Sequence, residues 1–217
     1  MPWPMVHFAV AYEIFKGHPS SSFLLGSIAP DAIHAREGTT RKEKMLSHFV
    51  HDDRLADKGL LTSKYMAYIG EREDPEWKTY VAGYFIHIYT DERWTTTLYA
   101  DFEQEVQKEP QEIRRIYDEE VSQLEYNLMR SNEWVDIVIA KLQAARGFDM
   151  DSLVSAEEAE RYREIKLNWL NNEKNEPGIQ LIYYTEDKVN DFIKRTANEA
   201  RELLKDWESL ERLAVQG

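Results

Sequence analysis

Residues 75–91 read Pro-Glu-Trp-Lys-Thr-Tyr-Val-Ala-Gly-Tyr-Phe-Ile-His-Ile-Tyr-Thr-Asp. Within this stretch Tyr80, Val81, Tyr84, Phe85 and Ile88 recur at the i, i+1, i+4 spacing of a helix face turned into a core. A helix is therefore expected to start near Pro75 and to run toward Val106, before Pro110 interrupts it. His87 and Asp91 stand one turn apart on that helix, where Cβ atoms are about 5–6 Å from each other. This spacing suits two ligands converging on one metal ion. A hydrogen-bonded core histidine is the other reading, but a buried carboxylate with no partner is costly.

Working outward, the helical pattern holds over most of the chain. Upstream, Pro4 suits a first helical turn, where its missing N–H costs little, and apolar residues from Val6 to Phe15 fill about three turns before Gly17. Residues 18–22 read as a loop. Phe23 to Ala29 is a short apolar run broken by Pro30, and residues 35–41 are a polar loop. Residues 42–56 fit a helix, although Ser47-His48-Phe49 fits a turn equally well. Leu60 to Ile69 is a short helix. Downstream, helices are expected over about 111–129, 133–145, 156–170 and 186–213, with Asn132, Ser155 and Thr185 as N-caps. Asn171 to Gly178 is a polar turn. Ile179 to Tyr184 tolerates a strand but has no partner strand, so it reads as a buried connector. The acidic stretch from Glu186 to Glu211 reads as a solvated helix face, and most of the aromatic residues read as core. The expected fold class is all-α, one helical domain over residues 1–217.

Composition narrows the function. The chain has 217 residues, enough to bury a core without staples. Its formal net charge of −13 argues against a basic surface that coats nucleic acid, so no stable nucleic-acid binding is expected. With no cysteine, thiol nucleophiles, disulfides and Cys-ligated zinc are excluded. Neither a targeting segment nor an apolar run of membrane-spanning length is visible, so a cytoplasmic protein is expected. The Gly-rich phosphate loop of an NTPase is absent as well.

All six histidines, His7, His18, His34, His48, His51 and His87, fall in the first 87 residues. Random scatter would do this with a chance on the order of 0.004, so the asymmetry suggests a site in that part of the chain. The remainder reads as scaffold and cleft wall. Asp31 follows Pro30 at what reads as a helix start, where it could simply be a cap, and His34 lies three residues further on. His18 reads as an ordinary surface residue. Arg36, Arg41 and Arg93 could contact a phosphate by charge, but surface ion pairs suit them better.

Two stretches resemble a known family. Residues 24–34, Leu-Leu-Gly-Ser-Ile-Ala-Pro-Asp-Ala-Ile-His, and residues 82–91, Ala-Gly-Tyr-Phe-Ile-His-Ile-Tyr-Thr-Asp, look like the core motifs of the zinc-dependent phospholipase C proteins, a group that includes the S1/P1-type single-strand nucleases. The order agrees too: an early His, a Gly-x-x-x-Pro-Asp, a lone His, then Gly-x-x-x-His-x-x-x-Asp. The resemblance covers about residues 3–94 and implies a helical bundle with a metal cluster between helices. It implies that His48, His87 and Asp91 hold one ion, and that His7 and Asp31 hold a neighbouring ion that shares Asp91. His34 has no family counterpart and could replace the N-terminal amine that secreted members use as a ligand. No His follows His87, so the family's three-zinc cluster cannot be completed, and one or two ions are expected, zinc or another divalent metal.

The implied activity is hydrolysis of a small phosphodiester or phospholipid by a metal-bound hydroxide, with Asp31 and Asp91 as the catalytic carboxylates. Two alternatives stay open. His51-Asp52, with His34 before and Asp91 after, could form an HD-type phosphohydrolase site, although the polar Asp53-Arg54 that follows is unusual for such motifs. The missing downstream ligands could instead mark a non-catalytic metal-binding module.

Overall fold

The computed structural model describes residues 3–52, 54–131 and 133–216. The described residues form α1 (Pro4–Ile14), α2 (Ser21–Gly26), a 3-10 segment (Ala29–Ala35), α3 (Arg41–Ser47), α4 (Lys58–Ile69) and α5 (Pro75–Trp94). A π-helical turn (Thr95–Tyr99) joins α5 to α6 (Ala100–Val106). Then come α7 (Pro110–Ser131), α8 (Val135–Gln143), α9 (Ala156–Leu170), a 3-10 turn (Glu173–Asn175) and α10 (Glu186–Gln216). The fold is all-helical. Among the described residues the only β pairings are two isolated bridges, His51 with Arg54 and Met150 with Val154.

The centre of the molecule is α5. Its expected face, Tyr80, Val81, Tyr84, Phe85 and Ile88, is buried and is extended by Trp77, and Ile86 and Trp94 on its other sides are buried too. A helix buried all round must be covered by neighbours, and α2, α4 and α10 pack on it. The closest approach is to α2. A Cβ added at Gly83 would sit 2.3 Å from the Phe23 carbonyl oxygen, and one at Gly26 would sit 2.1 Å from the Tyr80 carbonyl oxygen. Only glycine allows backbones to meet at that distance, so these two positions set the crossing. On the other side, α1 packs on α7 and α10, and α9 lies against the 3-10 segment. The long α10 buries Val189, Phe192, Ile193, Leu203 and Trp207 along one stripe.

Several boundaries depart from the sequence reading. Gly17, at φ 93°, closes the chain after α1 as expected. The helix expected over 42–56 is short, however: α3 stops at Ser47, His48 is its C-cap, and Phe49 takes φ 51°. The Tyr84 hydroxyl donates to the Ser47 carbonyl (2.7 Å), and Phe49 stacks on Phe85, so α5 holds this turn in place. Pro30 does not end a segment; it sits in the first turn of the 3-10 helix, and Asp31 lies inside that turn rather than capping it. Ser155 caps α9 with a full capping box, and the Thr185 hydroxyl accepts from the Lys188 N–H at the start of α10. Asn132 lies outside the described residues. The connector over 179–184 is not buried as a whole. Ile182 is 69% exposed, and only Tyr184 is buried. Its backbone is held by the buried Glu120 carboxylate, which accepts from the N–H groups of Ile182, Tyr183 and Tyr184 at 2.8–3.0 Å. Those donors go to a side chain instead of a partner strand, which is why no sheet forms there.

Candidate metal centre

Three elements bring histidines to one point beside Asp91. His7 comes from the first turns of α1, His87 from the middle of α5, and His48 from the cap of α3. All three are at most 2% exposed, and Asp91 is fully buried. His7 Nε2 lies 3.5 Å from Asp91 Oδ1, while His48 Nε2 and His87 Nε2 each lie 3.5 Å from Asp91 Oδ2. Asp31, from the 3-10 segment, places Oδ1 3.5 Å from His48 Nε2. The His7 and His87 rings stack in parallel, with centroids 4.0 Å apart.

Two of the three rings are aimed by a partner at Nδ1, whereas His7 Nδ1 has none. The His87 Nδ1 lies 2.8 Å from the Ser27 carbonyl oxygen, which the tight α2–α5 crossing delivers. His48 Nδ1 lies 3.0 Å from the Lys44 carbonyl oxygen and 2.9 Å from the Ser47 hydroxyl. With Nδ1–H donating to a carbonyl, the Nε2 lone pair faces the cluster, the tautomer a metal ligand needs.

The donors facing the cluster have no hydrogen-bond partner. His7 Nε2, His48 Nε2, His87 Nε2, Asp31 Oδ1 and both oxygens of Asp91 are buried and unsatisfied. Buried polar atoms are nearly always paired, so six orphans at one point need a reason. Their 3.5 Å separations are too long for hydrogen bonds. They are close to the edge of a tetrahedral ligand shell, about 3.3 Å for bonds of about 2.0–2.1 Å. An ion among them would satisfy ligand atoms that hydrogen bonds do not. The donor set, imidazole nitrogen with carboxylate oxygen, suits zinc and other divalent transition metals. Two groups have ligand atoms within mutual reach of one ion: His7, His87 and Asp91; and Asp31, His48 and His87. His87 is common to both groups, and Asp91 faces His7 with Oδ1 and His48 and His87 with Oδ2.

The charges agree with this. Burial works against ionisation of Asp91 and Asp31. Even so, His87 and His7 hold the Asp91 carboxyl well below its usual range, and His48, His87 and Lys44 do the same for Asp31. Burial, followed by the proximity of His87, lowers His7 to about 4, which keeps it neutral. Burial also opposes charge on His87, but Asp91 outweighs it and raises that pKa. The cluster is thus two carboxylates gathering positive charge in a dry interior.

The other expected residues separate from this group. His34 is 44% exposed and stands 3.8 Å from Asp31 Oδ1, on the outer side of that carboxylate. His51 and Asp52 pair with each other at 3.0 Å on the surface, 86% and 83% exposed, outside the buried cluster. Arg36 is bound to Glu43 and Glu158, and Arg93 to Glu199, so both are committed to ion pairs.

A cleft of about 250 Å³ opens onto Asp31, with walls that include Trp3, His34, Lys44, Tyr162 and Lys166. Lys166 lies over the Trp3 ring at 4.8 Å and the Tyr162 ring at 5.4 Å. Burial, together with Asp31 nearby, raises the Tyr162 pKa well above 10, so its hydroxyl is neutral. Tyr162 and Lys166 come from α9, far from any histidine in the sequence. Nothing in their local sequence marks them; only the packing of α9 on the 3-10 segment brings them to the cleft.

The fold and site together define an all-helical protein with a buried His/Asp cluster able to bind a metal ion. No helix among the described residues is long and apolar enough to cross a membrane. Comparison with protein-family models, curated proteins and solved structures returned no match.

Proposed function

We propose that this protein is a metal-dependent phosphodiester hydrolase related to the zinc-dependent phospholipase C and S1/P1-type proteins. The observation that carries this reading is the set of six buried, unpartnered His and Asp atoms spaced as ligands beside an open cleft. They belong to residues of the motifs that resemble that family. His7, His48, His87, Asp31 and Asp91 would hold the ion, and zinc fits the donor set. A divalent ion bound there would make water more acidic and withdraw charge from a phosphoryl oxygen.

The chain's own residues account for the rest of the reaction. Water forms a bond to phosphorus as the bond from phosphorus to the leaving oxygen breaks, and the proton lost by the water ends on that oxygen. Asp31 is the carboxylate that meets both the buried cluster and the cleft, being 13% exposed while Asp91 is closed off. It is therefore the group placed to take the proton and pass it on. Lys44 and Lys166 set two ammonium groups in a cleft wall that also carries Asp31 and Asp118, and these two cations are the groups available to meet an anionic substrate. The small cleft favours a small phosphodiester or a phospholipid headgroup over a polymer.

The test is turnover of a chromogenic phosphodiester by the full-length protein. Activity should vanish with a chelator, return with zinc, and be absent from Asp91→Asn. Stoichiometric metal without any phosphodiester turnover would turn the reading to the non-catalytic module.

A further inference from the structure

We propose that Lys44 is the second cation of this site, so that the centre binds a single divalent ion and the Lys44 ammonium supplies the other positive charge facing a phosphoryl group. The inference rests on the phosphodiester reading for the identity of the anion, and on geometry for the rest.

The two ligand groups share His87. A neutral imidazole nitrogen has one lone pair, so His87 Nε2 can serve one ion only, and the two groups cannot both be filled. A second ion would keep at most two ligands from its group. A positive charge already stands on the outer side of Asp31. Lys44 Nζ lies 4.0 Å from Asp31 Oδ1 and 3.2 Å from His34 Nε2. Asp31 Oδ1 thus has His48 Nε2 on its inner side and Lys44 and His34 on its outer side. A dication placed next to that ammonium would be repelled by it.

Lys44 is built into the site rather than draped over it. Its carbonyl oxygen aims His48 at the cluster, so the same residue sets a ligand from its backbone and reaches the cleft with its side chain. The ammonium has three donors. One is directed at His34, and the side chain is only 35% exposed within the cleft wall. The remaining donors can meet the oxygens of an anion seated above Asp31. The second positive group of the cleft, Lys166, is held over two aromatic rings on another part of the wall.

The experiment uses the full chain loaded with zinc, dialysed and assayed for metal by mass spectrometry, with orthophosphate as the calorimetric probe. Wild type should hold about one zinc per chain. Lys44→Met should keep that one zinc and bind orthophosphate at least ~10-fold more weakly, while Lys44→Arg should bind it within ~3-fold of wild type. Two zinc ions per chain in wild type would overturn the proposal. So would unchanged phosphate affinity in a folded Lys44→Met, or in Lys44→Gln if the methionine variant does not fold. One zinc and Lys44-dependent phosphate binding without phosphodiester turnover would support the Lys44 assignment while rejecting the proposed reaction. Turnover with two zinc ions would do the reverse.

Discussion

His87 Nδ1 lies 2.8 Å from the Ser27 carbonyl oxygen, directly beside the crossing where Gly26 and Gly83 bring α2 and α5 into backbone contact. The ligand's orientation therefore depends on a glycine four residues before it. Gly83→Ala would place a methyl 2.3 Å from the Phe23 carbonyl oxygen and push the two helices apart. Overpacking of this kind costs about 1–3 kcal/mol, and the Ser27–His87 contact should lengthen with it. Urea unfolding should show the loss of stability, and zinc titration should show at least ~10-fold weaker binding. A variant that matches wild type in both would disprove this account of the crossing.

Asp91→Asn keeps the shape of the side chain and removes its charge, at the point where three imidazoles converge. Zinc affinity should fall by well over ~10-fold, more than the loss of an outer-sphere partner produces. His48→Ala should weaken zinc as well. His51→Ala should leave metal content and activity near wild type, because that side chain is exposed and paired only with Asp52. Loss of zinc in His51→Ala with normal zinc in His48→Ala would point to the HD-type arrangement instead.

Stability should depend on pH through Glu125. This carboxyl is fully buried at the start of α1, with both oxygens 3.1 Å from the Met5 N–H. Burial raises its pKa from the usual 4.5 to about 8, against the pull of that N–H and of Lys166. Between those values the folded state holds a proton that the unfolded state has released. Its stabilising contribution is complete below about 4.5 and is lost as pH rises through about 8, at up to about 1.4 kcal/mol per pH unit. Glu125→Gln cannot ionise and should flatten this slope. Unfolding curves at about pH 5 and about pH 8 test it: the variant should gain on wild type at the higher pH, and parallel pH profiles would refute the assignment.

Glu120 offers a check at the 182–184 segment. Its buried carboxylate accepts three consecutive N–H groups, of Ile182, Tyr183 and Tyr184, and Tyr184 stacks on Trp94 at the end of α5. Glu120→Gln turns one acceptor oxygen into a donor facing an N–H. The expected cost is about 1–3 kcal/mol, with faster amide exchange at residues 182–184. Unaltered exchange there would mean that the loop is held by its side chains alone.

Periodicity, caps and residue type were legible along the chain itself. The apolar spacing from Tyr80 to Ile88 identified a core helix, Gly17 and Ser155 marked ends that the structure keeps, and the gathering of histidines in the first 87 residues marked the half that holds the cluster. These are local properties, set by backbone geometry and by which side chains avoid water. Tertiary structure decided everything that depends on distance between segments. Whether His48 lay in a helix or a turn was open in the sequence, because Tyr84, 36 residues later, holds the Ser47 carbonyl. His34, three residues from Asp31, faces outward and meets Lys44, while His51-Asp52, the adjacent pair followed by a polar Asp53-Arg54, stays on the surface. Lys44, Tyr162 and Lys166 carried no signal, since a lysine or tyrosine on a helix face has the same local pattern whether it borders a cleft or bulk water. Spacing along one helix can place two ligands. A cluster drawn from α1, the 3-10 segment, α3 and α5 exists only because Gly26 and Gly83 let the helices pack closely enough for their side chains to converge.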